Sequence, residues 1–186
     1  IIEEMESDDK ADIIAELSDD QAKAVLDAIE PEESQEVKEL LRHPEDTAGG
    51  IMQSELVSVG KQATINDAFQ AVVDAKDDME NIHNIFVVDD ENKLVGTVPL
   101  QRLITMKRFT PIVDVIDGNI PSVRADMDQE EVARLFKKYD LVSAGVVDAD
   151  NHLLGRITID DVVDAIQEET SEDIYRIAGL GYNDTI

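Results

Sequence analysis

The chain has 186 residues, 43 of them Asp or Glu and 16 Lys or Arg, for a formal charge of −27. So acidic a chain repels phosphate backbones and anionic membrane surfaces, which argues against a nucleic-acid role. Basic protein surfaces, monovalent ions and divalent cations remain as partners. It has no cysteine, hence no disulfide, thiolate metal site or Cys nucleophile, and no apolar run of about 18 residues to span a membrane.

Residues 1 to about 43 read as helical. Ile13, Ile14 and Leu17, then Val25, Leu26 and Ile29, then Val37, Leu40 and Leu41 recur at helical spacing. Ser18-Asp19-Asp20 and Glu30-Pro31-Glu32-Glu33 mark helix starts, with Pro31 suited to a first turn. Short helices of this kind bury little alone and read as the end of a helical repeat or bundle. The start at Ile1 and the end at Asn183-Asp184-Thr185-Ile186 suggest a piece of a longer protein. His43-Pro44 closes the last helix, and Thr47-Ala48-Gly49-Gly50 forms a turn.

The chain then repeats itself. VVDDENKLVGTVPLQRLI (87–104) aligns with VVDADNHLLGRITIDDVV (146–163) at an offset of 59 residues. Val87, Val88, Asp89 and Gly96 recur as Val146, Val147, Asp148 and Gly155, with Asn92 and Leu94 matched only approximately. Upstream, Thr64 and Asp128 sit as N-caps, with Asp67 and Glu131 at capping-box spacing. Each half therefore reads β-α-β-β-α, and two tandem copies are expected to pack together, since one alone leaves a sheet face exposed. The boundary falls near Phe109-Thr110-Pro111.

The last stretch, TIDDVVDAIQEETSED (158–173), holds seven carboxylates and no Lys or Arg. On one helix these repel. A divalent cation would relieve them. Two unit charges 4 Å apart repel by about 4 kcal/mol at an effective dielectric of 20, and a bridging ion reverses that sign. Asp161 and Asp164 share a face of this helix, and Asp161, three after Thr158, also has capping-box spacing. His43, His83 and His152 lack ligand spacing, and Asp148-Ala149-Asp150-Asn151 lacks the Gly and terminal Glu of an EF-hand loop. Nothing supplies a nucleophile elbow, a P-loop or HExxH, so the chain is not read as an enzyme.

The tandem unit, with VVD, a polar turn and LxG, resembles a CBS-domain pair, a regulatory module. HPEDTAGGIM (43–52), DQEEVARLFKKYD (128–140) and TIDDVVDAIQEETSEDIYRIAGL (158–180) are similar to the cytosolic portion of MgtE-type magnesium transporters. The resemblance implies an α/β (α+β) fold. Residues 1–46 would be the C-terminal part of a helical N domain, 47–110 and 111–166 the CBS domains, and 167–186 the start of a helix to a transmembrane pore outside this chain. It also implies a homodimer on the cytoplasmic face of the membrane whose domains bind Mg²⁺, compact and close the pore. Asp161 would coordinate Mg²⁺ with an N-domain acid, matched here by Asp20. Asp140 and Glu130, with neighbouring Asp128, match acids between the N domain and the second CBS unit, and Asp164 can face the N domain. Glu169, Glu172 and Asp173 match acids facing the pore.

Adenine-nucleotide sensing is the alternative. The second unit carries Gly155-Arg156-Ile157-Thr158-Ile159-Asp160-Asp161, close to the Gly-apolar-apolar-Thr-x-x-Asp pattern of nucleotide-binding pairs, although Arg156 replaces an apolar residue. In the first unit Pro99 and Arg102 stand where Thr and Asp would be.

Overall fold

The structure, a computed structural model, describes residues 5–76, 79, 81–117 and 121–177, with the side chains of 168, 169 and 172–177 left out. Three short helices come first: α1 (Ser7–Ala15), α2 (Asp19–Leu26) and α3 (Pro31–Leu40). Ser18 caps α2 in a reciprocal box with Gln21, and Pro31 occupies the first turn of α3, where its missing N–H is no loss. Ile14, Val37 and Leu40 are buried, whereas Ile13 and Leu41, which the periodicity put on the same stripes, are exposed.

Two β-α-β-β-α units follow. The first is β1 (Ser58–Gly60), α4 (Ile65–Asp74), β2 (Asn84–Val88), β3 (Leu94–Pro99) and α5 (Leu100–Thr105). The second is β4 (Val123–Arg124), α6 (Gln129–Tyr139), β5 (Ser143–Val147), β6 (Leu153–Thr158) and α7 (Ile159–Ile177). Each sheet has its first strand parallel to the second and the third antiparallel, and the same irregularity follows Val87 and Val146. The fold is thus α+β with tandem units, as the repeat predicts.

The Asn match proves closer than approximate. Asn92 and Asn151 both adopt positive φ, 61° and 71°, a conformation Asn tolerates better than most residues. They exchange equivalent bonds across the two units. Asn92 Nδ2 donates to the Leu153 carbonyl (3.2 Å) and Asn151 Nδ2 to the Leu94 carbonyl (2.9 Å). The capping expectation holds in full only for the first unit. Thr64 and Asp67 form the reciprocal box, while Asp128 caps α6 by accepting the Glu130 N–H at 2.9 Å, without a contribution from Glu131.

Among the described residues, the helical segment shares its buried core with the second unit and not with the unit that follows it in sequence. Ala11, Ile14, Val37 and Leu40 share one buried cluster with Val123, Val132, Phe136, Val146, Ile157 and Val162 of the second unit, while the first unit has a core of its own. The crossing is made by residues 46–55, a strap along the second unit. Ala48 N and Gly49 N donate to the carbonyls of Met127 (2.7 Å) and Ala125 (2.9 Å), and Gln129 N donates to Asp46 O (3.0 Å). Gln53 and Arg156 then exchange both backbone bonds, 2.8 and 2.9 Å, at the outer edge of β6.

Gly155 permits that last pairing, because a Cβ there would lie 2.5 Å from the Gln53 carbonyl oxygen. Gly155→Ala is therefore expected to lower stability by about 1–3 kcal/mol in urea denaturation, the usual effect of overpacking. Gly60→Ala, whose Cβ meets nothing within 4 Å, should leave the midpoint nearly unchanged.

Candidate metal centre

Where the strap meets β6, three segments bring their polar side chains together. Glu6 and Ser7–Asp8 come from the start of α1, Gln53–Glu55 from the strap, and Arg156 and Asp161 from the β6–α7 connection. Asp161 is fixed first by its own helix: its Oδ2 accepts the Thr158 N–H (2.7 Å) and hydroxyl (2.9 Å), so the Asp161 half of the capping box is formed. Its other oxygen remains available and accepts from Gln53 Nε2 at 3.2 Å. The same amide lies 3.0 Å from Glu6 Oε2 and 3.4 Å from Asp8 Oδ2. One amide nitrogen has two hydrogens, so it cannot bond three carboxylates fully. Ser7 Oγ holds the helix start in place, donating to Glu55 Oε2 (2.6 Å) and accepting the Ser54 N–H (2.8 Å).

Crowding of these acids perturbs them in one direction. Burial, then the nearby Asp161 charge, pushes the Asp8 carboxyl up to about 7. Burial likewise raises Glu6 and Asp161, with Arg156 opposing it in both. Asp8 Oδ1 and Gln53 Oε1 are buried without a hydrogen-bond partner. Orphaned hard oxygens beside half-buried carboxylates suit a hydrated Mg²⁺, which binds oxygen ligands at about 2.0–2.1 Å and commonly keeps several waters. Glu6, Asp8 and Asp161 converge through the Gln53 amide, so an ion bridging them would retain waters or displace that amide.

Among the described residues, Asp148, Asp150 and His152 form a tighter set, with one ligand atom from each within 4.8 Å of the others. The Asp148 and His152 atoms are already engaged with each other and with the turn's own backbone. Asp148 Oδ1 accepts the N–H groups of Asp150 (2.9 Å) and His152 (2.8 Å), and Oδ2 pairs with His152 Nδ1 at 2.9 Å. This is a self-satisfied turn, and the absence of ligand spacing around His152 in the sequence does not reveal it.

Residues 1–46 match the MgtE intracellular N domain, and residues 48–107 and 112–168 match the CBS domain. The chain belongs to the CBS-domain family, with an MgtE N domain ahead of its CBS pair. It is 40% identical over 149 residues to the magnesium transporter MgtE of Enterococcus faecalis, an alignment covering 80% of this chain and 33% of that protein. The chain thus spans about a third of that relative's length. Among solved structures it is similar to the soluble part of a magnesium transporter (38% identity, TM-score 0.85, 90% of this chain and 66% of that one). It is also similar to the cytosolic domain of the Mg²⁺ channel MgtE in complex with ATP (36% identity, TM-score 0.84, 88% and 67%). Among the described residues no helix is long and apolar enough to cross a membrane.

The other predicted ligands of this MgtE-like chain are dispersed. Asp20 lies exposed in the first turn of α2, and the N-domain acids beside Asp161 are Glu6 and Asp8. Nothing in the sequence distinguished those two from the other acids. Asp128 is spent as an N-cap, and Glu130 pairs with Arg134 one turn on. Asp140 ends α6 in the left-handed region at φ 50° and lines an apolar groove of about 570 Å³ between α6 and α7. Asp164 is exposed on α7. Glu169, Glu172 and Asp173 fall on α7, but their side chains lie outside the described residues. Helix α7 runs unbroken through residue 167, so the last CBS helix and the expected connecting helix are one element. Arg102, which stands where the nucleotide pattern has Asp, donates to the Val115 carbonyl at 2.6 Å.

The Asp8 shift sets a pH dependence. Its folded value, about 7, exceeds the ordinary 3.8. The folded state therefore binds the proton more tightly, and metal-free stability falls as pH rises from about 4 to about 7. Asp67, Asp89 and Asp148, held low by hydrogen bonds, act oppositely and only below that window. Thermal melts in chelator should lose on the order of 1–2 kcal/mol between pH 5.5 and 8. Asp8→Asn should flatten that slope; an unchanged slope would reject the assignment.

Proposed function

We propose that this chain is the Mg²⁺-sensing regulatory region of a magnesium transporter. The observation that carries the reading is the convergence of Glu6 and Asp8 from the N domain on Asp161 of the second CBS unit. Bare, the acids repel across the junction and are relieved only by protons, one amide and one arginine. A Mg²⁺ ion held by Asp161 and the N-domain acids supplies the missing positive charge and pulls the segments together. Ion concentration thereby becomes a conformational bias, since metal binds the compact state better than the open one. Metal binding requires the deprotonated carboxylates and releases their protons, so affinity falls as pH drops below about 7.

In this reading residues 1–46 are the N domain, 47–110 and 111–166 the CBS domains, and the helix from 167 onward leads to a transmembrane pore. Two copies assemble on the cytoplasmic face of the membrane, and compaction closes the pore. Asp20, Asp128, Glu130, Asp140 and Asp164 act as further Mg²⁺ ligands at the N-domain–CBS junction, with Glu169, Glu172 and Asp173 on the pore side. The unbroken α7 supports a rigid link between sensor and pore.

Adenine-nucleotide sensing is a second reading, favoured by the ATP complex of the 36%-identical relative. Against it as the main role, Pro99 and Arg102 stand in the first unit where the pattern's Thr and Asp would be, and the acids around Arg156 repel phosphate. Small-angle scattering and limited proteolysis across millimolar Mg²⁺ separate the two. Mg²⁺ should shrink and protect the chain, and Asp161→Asn, which keeps an oxygen for Thr158, should raise the midpoint about tenfold, the loss of one charge-assisted contact. Asp8→Asn should do the same if Asp8 is the N-domain ligand, and Asp20→Asn if Asp20 is. Protection by ATP in chelator with no response to Mg²⁺ would transfer the role to nucleotide.

A further inference from the structure

The internal repeat provides a control for Arg156. Its counterpart in the first unit is Thr97, in the same strand position: Thr97 pairs with Phe86 as Arg156 pairs with Gly145. Both are buried, at 3% and 2% exposure. The strand therefore folds with a hydroxyl in one copy, and a cation in the other answers to something else.

What surrounds Arg156 is acid. The charges acting on it are those of Glu6, Asp161, Glu55 and Asp8, drawn from the α1 start, the strap and α7. Its Nη2 lies 3.9 Å from Glu6 Oε1. Nη1 donates to the carbonyl of Asn81, in the segment between α4 and β2 of the first unit. One guanidinium thus touches the N domain, the first CBS unit and its own strand. Its Nε and Nη2 are buried without hydrogen-bond partners, as is Asp8 Oδ1 beside it. The other buried cation among the described residues, Lys10, is taken by Glu33 between α1 and α3 at 3.2 Å. A buried guanidinium is strongly unfavourable unless paired, and buried carboxylates likewise, so each depends on the other. The same acids make the site repellent to phosphate.

We propose that Arg156 is a resident counter-ion of the Glu6–Asp8–Glu55–Asp161 cluster, which holds the N domain and the first CBS unit on the second without metal. With all four carboxylates ionised, the arginine leaves three net negative charges instead of four. One divalent ion then brings the cluster close to neutrality, so Arg156 sets how much Mg²⁺ the junction needs. This second consequence rests on the Mg²⁺ reading above. The first does not.

Amide hydrogen exchange on the 186-residue chain tests both, using Arg156→Thr, the residue the first unit carries at this position. In chelator, exchange of α1 and the 46–55 strap should rise at least tenfold over wild type, while α4 and β2 keep their protection. Adding Glu6→Gln to Arg156→Thr should restore the slow exchange, because the acid left without its partner is then neutral. Equal exchange of α1 in wild type and Arg156→Thr would overturn the proposal. So would a double variant as open as the single one, since the loss would then be one of shape. Mg²⁺ should close Arg156→Thr only at higher concentration than it acts on wild type. If Arg156→Thr opens in chelator but Mg²⁺ changes neither protein, the counter-ion role stands and the Mg²⁺ reading fails.

Discussion

The backbone pairing of Gln53 with Arg156 determines which surfaces of this molecule meet. Through it the strap adds an edge to the second sheet before the chain enters the first unit. The N domain is thereby laid on the second unit, skipping its neighbour in sequence, and Ala11, Ile14, Val37 and Leu40 complete a core begun by Phe136, Val146 and Ile157. Each fully buried aliphatic side chain of this kind contributes about 1.5–3 kcal/mol. That apolar contact tolerates the adjoining cluster of like charges. The hydrophobic face holds the segments near one another, and the electrostatics decides how tightly.

The same arrangement sets apolar packing and clustered carboxylates side by side at one junction. A purely apolar interface would be insensitive to ions, and a purely acidic one would not dock at this charge. Here Asp161 is held by Thr158, so the oxygen that accepts the Gln53 amide, shared with Glu6 and Asp8, stands at a fixed position. Glu6 and Asp8 stand at a helix start that Ser7 ties to the strap. A small change in local positive charge, whether proton, arginine or metal, therefore acts on a defined geometry.

Much of this was legible in the sequence. The 59-residue repeat predicted two β-α-β-β-α units, and the two asparagines it matched loosely prove to be equivalent left-handed residues that lock the units together. Thr64–Asp67 and Thr158–Asp161 were visible as capping boxes because those signals are local. Asp161 stood out for the same reason. What stayed hidden was the choice of partner. Periodicity places Ile13 beside Ile14 but cannot say that α1 turns only one of them toward another domain. Gln53 carries no motif, and Glu6 and Asp8 are two acids among 43. Their place beside Asp161 is set by a contact across more than a hundred residues, which no local pattern encodes. Arg156 is visible in the sequence as a departure from an apolar position, whereas the four carboxylates around it come together only in the fold.

The central claim is that a divalent cation joins the N-domain acids to Asp161. Crystals of the chain grown with Mn²⁺, which shares the oxygen preference of Mg²⁺, test it by anomalous scattering. The account predicts a peak beside the free oxygen of Asp161 and within reach of Glu6 or Asp8. A peak at Asp148, Asp150 and His152 with none beside Asp161 would contradict it.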